Sequence, residues 1–184
     1  MTEPIVITTL AGSGKDRFNR HMSQAARMME DGRYYDAARQ YEYATILTPS
    51  NPLAHAGQSL AYFGAGEPGT AAHRLMRALR LFPPLMETRI QVVSLVGEKA
   101  YEKRLGDLNG LLSTEFGRKQ KTLVLLATFL HHNAGNRAEA EVWAERLMEM
   151  TLRDKLLNAY ARFVLRGQRP SGQTATPSPE PTPR

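Results

Sequence analysis

The residues that could carry chemistry are few. Gly12-Ser13-Gly14-Lys15, within ITTLAGSGKDRF, has the spacing of the last positions of a phosphate-binding loop. Such a loop also needs a glycine five positions before its Gly-Lys pair and a Ser or Thr directly after the lysine to hold magnesium, all between a strand and a helix. Thr9 stands at the first of these places and Asp16 at the second, where a carboxylate adds negative charge beside the phosphates. IVITTL has the makings of a short strand, yet nothing downstream supplies the rest of an α/β sheet. The tetrapeptide is therefore expected to be a mobile approach to a first helix, with Asp16 as its polar cap or first-turn acid.

No other set of side chains assembles a reaction centre. The chain has no cysteine, which excludes disulfides, thiolate metal sites and cysteine nucleophiles. His131 and His132 are adjacent and would project about 100° apart on a helix, so they do not converge on one ion. Glu145 and Glu149 share a helical face, but Arg146 beside them is typical of a solvated surface, and no fixed partner completes an acid-base pair. The chain is expected to be no enzyme, with no metal and no cofactor.

Charge gives a weaker hint. The formal charge of +6 comes from 24 Lys and Arg against 18 Asp and Glu, a moderate excess. Arg74, Arg77 and Arg80 recur at a spacing of three and form one flank of a helix, which could contact phosphates or an acidic peptide. No base-reading module accompanies them, so a solvated face is favoured and nucleic acid is disfavoured as a partner.

These residues must be positioned by helices. Phe18 to Met29 has helical periodicity, Gly32 opens a turn, and RYYDAARQYEYATIL resumes the pattern until Pro49. Ser50 or Asn51 with Pro52 gives the next start, which runs to Phe63. Gly64 and Gly66 turn the chain into a helix that ends at Pro83-Pro84. Pro68 falls near a helix start, where its missing amide is tolerated. Leu85 to Val96 and Tyr101 to Phe116 suggest a further helix pair, followed by Thr122 to Asn133, Ala138 to Met150 and Arg153 to Leu165.

One offset runs through this pattern. Gly32 falls on Gly66, Ala37 on Ala71, Tyr41 on Leu75, Ala44 on Ala78 and Pro49 on Pro83, each 34 residues apart. The same offset places His21 on His55, which argues for packing or a helix-to-helix hydrogen bond over chemistry at both. The segment from Lys121 to about Met150 carries Gly135, Ala140, Ala144 and Leu147 in the corresponding places. Here the sequence resembles the tetratricopeptide repeat family, over about two thirds of the chain. Leu85 to Phe116 lacks the glycine and small-residue pattern and would be a degenerate unit. His21 and His55 replace the aromatic residue that the family usually carries there.

The resemblance implies an all-α fold, a right-handed superhelical stack of antiparallel helix hairpins forming a TPR-like α-solenoid. It also implies a concave groove lined by the first helix of each unit: Met22, Ala26 and Met29, then Ala56, Leu60 and Phe63, then Leu125, Phe129 and His132. Met22 and Ala56 stand where a carboxylate clamp would have lysine or arginine, so an apolar peptide or amphipathic helix is the implied ligand. The protein's own terminal helix or a second copy would fill such a groove equally well, and some of these residues could simply pack between neighbouring helices.

The implied organisation is a flexible leader over residues 1–16, a helical repeat domain over 17–166, and a disordered Pro/Ser/Thr-rich tail over 167–184. The implied function is that of a non-catalytic protein-protein interaction module or scaffold. A self-associating assembly subunit, a homo-oligomer, is the alternative, with an RNA-associated adaptor behind it. Glu3 rather than a basic residue precedes the apolar run Ile5 to Ala11, and no stretch approaches the roughly 20 apolar residues of a membrane span. A cytoplasmic location is expected.

Overall fold

In a computed structural model, which describes residues 5–166, the chain is almost entirely helical. The tail expected at 167–184 lies outside the described residues. In chain order the elements are β1 (Val6–Ile7), α1 (Arg17–Glu30), α2 (Tyr34–Leu47), α3 (Pro52–Ala65), α4 (Pro68–Leu81), a 3-10 turn (Pro83–Glu87), β2 (Arg89–Ile90), α5 (Val92–Val96), α6 (Glu98–Ser113), α7 (Glu115–Arg118), α8 (Lys121–Ala134), α9 (Arg137–Met150) and α10 (Lys155–Arg166).

Three helix pairs, α1/α2, α3/α4 and α8/α9, are closed by one device. Gly32, Gly66 and Gly135 adopt φ of 71°, 90° and 80°, the left-handed region that a Cβ disfavours. Each glycine amide donates to the carbonyl three residues back, on Met29, Phe63 and His132. The following amide donates to the carbonyl five back, on Met28, Tyr62 and His131. Carbonyls left open at the helix end are thereby satisfied, and the chain is turned into the next helix. That helix brings a buried alanine into its first turns each time, Ala37, Ala71 and Ala140.

Burial follows from position. The helices α1, α2, α3, α4, α8, α9 and α10 pack each against the next. In α3 and in α8, 10 of 14 residues are buried, as helices enclosed on several sides require. Close approach to α2 explains the small residues of α3: a Cβ on Gly57 would strike the Tyr41 ring, and one on Gly64 the Tyr34 ring. By contrast α1 and α10, at the two ends of the row, keep a polar outer face and bury one stripe, Met22, Ala25 and Met29 in α1 and Leu157, Tyr160, Ala161 and Val164 in α10.

Leu85 to Phe116, expected to stand in the stack as a degenerate helix pair, is placed differently. The helix α4 packs directly on α8, so this segment lies outside the row. Pro83 and Pro84 stop α4 because they lack amide donors and their rings fix φ. Arg89 and Ile90 are then extended, in parallel pairing with Val6 and Ile7. The Arg89 amide donates to the Ile5 carbonyl at 2.8 Å, and the Gln91 amide to the Ile7 carbonyl at 3.0 Å. The leader supplies that strand partner, and helix begins only at Val92. Within the leader, Val6 and Ile7 take part in this pairing and Leu10 is buried, while Gly12 to Asp16 are exposed. At the far end Thr114 accepts from the Gly117 amide at 3.0 Å and starts the short α7, which separates Phe116 from α6.

From there α5 packs on α1, α3 and α8, and α6 packs on α3 and α8. We call the surface of α1, α3 and α8 that they cover the inner face. Among the described residues no helix is long and apolar enough to cross a membrane.

Candidate functional site

Of the nine residues expected to line a groove, seven are buried: Met22, Met29, Ala56, Leu60, Phe63, Leu125 and Phe129. Ala26 and His132 are half-buried. Packing against neighbouring helices, the other expectation for these positions, accords with that burial, and α5 and α6 also pack on the row of α1, α3 and α8. The Tyr101 ring meets Phe63 edge-on at 5.9 Å, and its hydroxyl donates to the Leu130 carbonyl at 3.1 Å. Tyr34 Oη donates to the Val96 carbonyl at 2.6 Å. Arg104 Nε donates to the Gly64 carbonyl at 3.0 Å, at the end of α3. The Ile90 amide donates to Asn133 Oδ1 at 2.7 Å, while Asn133 Nδ2 donates to the Phe129 carbonyl.

His132 belongs to a different contact. Its ring packs edge-on against Tyr160 and Phe163 of α10, at 6.4 and 5.7 Å. Burial, with the Arg89 guanidinium adding to it, lowers its pKa to about 4, so the imidazole is neutral at pH 7. The terminal helix thus packs on His132, and Tyr101 of the internal segment packs on Phe63.

The Gly12 to Lys15 stretch is exposed and leads into the cap of α1. Asp16 Oδ1 accepts the Asn19 amide at 2.8 Å and Oδ2 accepts the Asn19 side-chain amide at 2.8 Å. These bonds, the backbone one first, hold the Asp16 carboxyl below its ordinary range. A carboxylate thus occupies the helix N-terminus where a phosphate would have to bind. A Cβ on Gly12 or Gly14 would meet the end of the Asn19 side chain, which would have to shift.

An open concavity lies between α3 and α4. It has a volume of about 740 Å³ and is lined by His55, Gly69, Thr70, His73, Arg74 and Arg77. His55 is buried, and its Nε2 lies 3.0 Å from the Pro49 carbonyl, so the proton sits on Nε2. Burial, reinforced by the nearby charges of Arg77 and Arg74, pushes its pKa down, while the Pro49 bond opposes this. Its Nδ1 has no hydrogen-bond partner among the described residues. His73 turns its Nδ1 to the Gly69 carbonyl at 2.8 Å. Neither Arg74 nor Arg77 makes an ion pair or hydrogen bond among the described residues.

The 34-residue offset shows how this crevice arises. In the first hairpin the matching places are His21, Gln40 and Tyr43. There His21 Nδ1 meets Gln40 Oε1 at 2.8 Å across α1 and α2, and its ring packs on Tyr43 at 5.4 Å. In the third hairpin Val124 and Trp143 hold the places of His55 and Arg74. The expected helix-to-helix bond is present at His21. At His55 the bond instead reaches the loop after α2, and two arginines replace the groups that close the first crevice.

Arg80 does not share this concavity. It lies 4.0 Å from Asp154, ahead of α10, so the expected flank of Arg74, Arg77 and Arg80 divides between two surroundings. A second basic row, Arg17, Arg20 and Arg27 with Gln24 between them, is exposed on α1, and these residues border concavities of about 300 and 330 Å³. Among the described residues no group of three or more His, Asp or Glu is placed to hold a metal ion.

Sequence reasoning named Arg74 and Arg77 but missed their joining with His55, Thr70 and His73. The signal that could have found the crevice was present in the register: Arg74 on Gln40, facing His55 on His21.

No protein-family model matches the chain, and comparison with curated proteins finds no match either.

Proposed function

We propose that this chain is a non-catalytic interaction scaffold of the tetratricopeptide type, whose groove is occupied by its own segment 83–120. The observation that carries the reading is the threefold use of one glycine-centred cap, at Gly32, Gly66 and Gly135, in helix pairs that pack in a row. Each pair leaves apolar surface that only a neighbouring pair can cover, which is the logic of a solenoid. With the inner face filled, partners bind on the outer surfaces, where the unpaired basic side chains are. Substitutions at Phe63 or Phe129 would report on folding and not on binding, since both are buried.

Selection of displayed peptides on the immobilised full chain tests this. Recovery of a peptide family that binds one-to-one without chemical change supports the scaffold. Turnover of any substrate, abolished by a single side-chain substitution that leaves the fold intact, contradicts it.

Self-association is a second reading with its own observation. Tyr43, Ile46 and Leu47, on the last turns of α2, are all exposed, Ile46 at 68%. A dimer through that apolar end would become monomeric on Ile46→Glu, as read by light scattering.

A further inference from the structure

We infer that the crevice between α3 and α4 is a binding site for an anionic side chain, a carboxylate or a phosphorylated hydroxyl, presented by a docked polypeptide. The inference rests on the scaffold reading and adds to it the class of partner.

The crevice sets unpaired hydrogen-bond donors in a partly apolar lining. Arg74 is half-buried and Arg77 exposed, both line the same cavity, and neither has a partner among the described residues. The Thr70 hydroxyl makes no bond there, and the amides of Gly69 and Thr70 lie in the first turn of α4, where no intrahelical acceptor exists. Glu67 precedes them but makes no side-chain cap, and its carboxylate instead accepts the Tyr35 hydroxyl at 3.0 Å. Guanidinium forks and helix N-terminal amides both match a carboxylate or phosphate, the arginines in bidentate fashion.

Comparison within the chain sets the pair of arginines apart. The first hairpin has a histidine-glutamine bond at the matching place, and the third carries Val124, Trp143 and Arg146 at the places of His55, Arg74 and Arg77, so the second cation is particular to this crevice. Like charges three residues apart on one helix face repel weakly, and an anion bound between them relieves that repulsion. His55 is buried, with one nitrogen bound to Pro49, and forms a fixed wall.

The site fits one anionic group better than a nucleic-acid strand. A strand needs a track of phosphate contacts and rings for its bases to stack on. Beyond Arg77 the next arginine on α4, Arg80, is drawn towards Asp154, and no Phe, Tyr or Trp lines the crevice.

The test uses the full chain and labelled decapeptides measured by fluorescence anisotropy: one rich in glutamate, one with phosphoserine, one with glutamine in place of every acid, and a single-stranded decauridine. The variants are Arg74→Gln/Arg77→Gln and, as a control of equal charge loss, Arg17→Gln/Arg20→Gln, each checked for unchanged circular dichroism and melting. The expected result is binding of an acidic peptide that weakens about tenfold or more in the crevice variant and less than about twofold in the control. The glutamate and phosphoserine arms tell which anion is preferred, and NMR shifts of the His55 and His73 rings on addition of the peptide place it in the crevice.

Equal weakening in both variants, or tighter binding of decauridine than of either acidic peptide, overturns the inference. So does the absence of acidic-peptide binding to the unmodified chain. If acidic peptides fail this test while displayed neutral peptides bind the unmodified chain and the crevice variant alike, the crevice assignment fails and the scaffold reading stands.

Discussion

Tyr34 Oη donates to the Val96 carbonyl at 2.6 Å, joining the first residue of α2 to the last residue of α5. The Tyr34 ring also lies where a Cβ on Gly64 would sit, so one side chain ties α2, α3 and the covering segment together. Burial raises its pKa further above the ordinary phenol value, with Arg104 opposing. Tyr34→Phe keeps the ring and removes the bond. We expect a loss of about 1 kcal/mol in urea unfolding, with faster amide exchange confined to the covering segment and its anchors. Uniform acceleration across all helices would contradict the local role.

The turn glycines permit a clean contrast. Gly32 has φ 71° with open space around its Cβ position, so Gly32→Ala tests backbone conformation alone. A loss of about 1–2 kcal/mol is expected from the left-handed conformation. Gly106 is exposed within α6, also with open space, so Gly106→Ala should stabilise by up to about 1 kcal/mol. Opposite signs in denaturant midpoints are the outcome to look for.

Stability should fall in mild acid. Burial lowers the His132 pKa from 6.5 to about 4 in the folded chain. Between those values the unfolded chain binds more protons, so the stabilising contribution is complete above the unfolded pKa and is lost as pH falls towards the folded one. The expected loss from this group is up to about 3 kcal/mol. His132→Phe retains an aromatic ring beside Tyr160 and Phe163 and should flatten the decline between pH 6.5 and 4. The slope that remains belongs to His55 and His131, whose pKa values burial also lowers. An unchanged slope in the variant would count against a neutral, half-buried His132.

Gln58 is buried, and neither atom of its amide has a hydrogen-bond partner among the described residues. Gln58→Met retains length and removes the unsatisfied groups, so unfolding in urea should require about 1–3 kcal/mol more. A loss of stability would show that the amide is satisfied by solvent.

The helices and their turns were legible because their signals are local. Gly32, Gly66 and Gly135 carry the cap in their own sequence neighbourhood, and Asp16, Asn51 and Pro52 announce helix starts. The 34-residue offset also pointed correctly to His21 as one end of a helix-to-helix bond. What could not be read is long-range. Arg89 becomes a strand residue because Ile5 accepts its amide, and Tyr101 docks because Phe63 and Leu130 are within its reach. Leu60 or Leu125 would look the same in an open groove and beneath a cover, since apolar character does not say which surface meets it. The crevice was half-legible: Arg74 and Arg77 stood out, but Thr70 and His73 joined them only once α3 and α4 were packed.

The central claim is that the inner face is filled from within the chain, and native-state hydrogen exchange tests it most directly. Amides of α6 from Tyr101 to Leu112 should be protected to within about 1 kcal/mol of those in α3 and α8, opening with the helices they cover. Exchange of the α5 and α6 amides at rates of an unfolded segment, while α3 and α8 stay protected, would contradict the account and leave an open groove in its place.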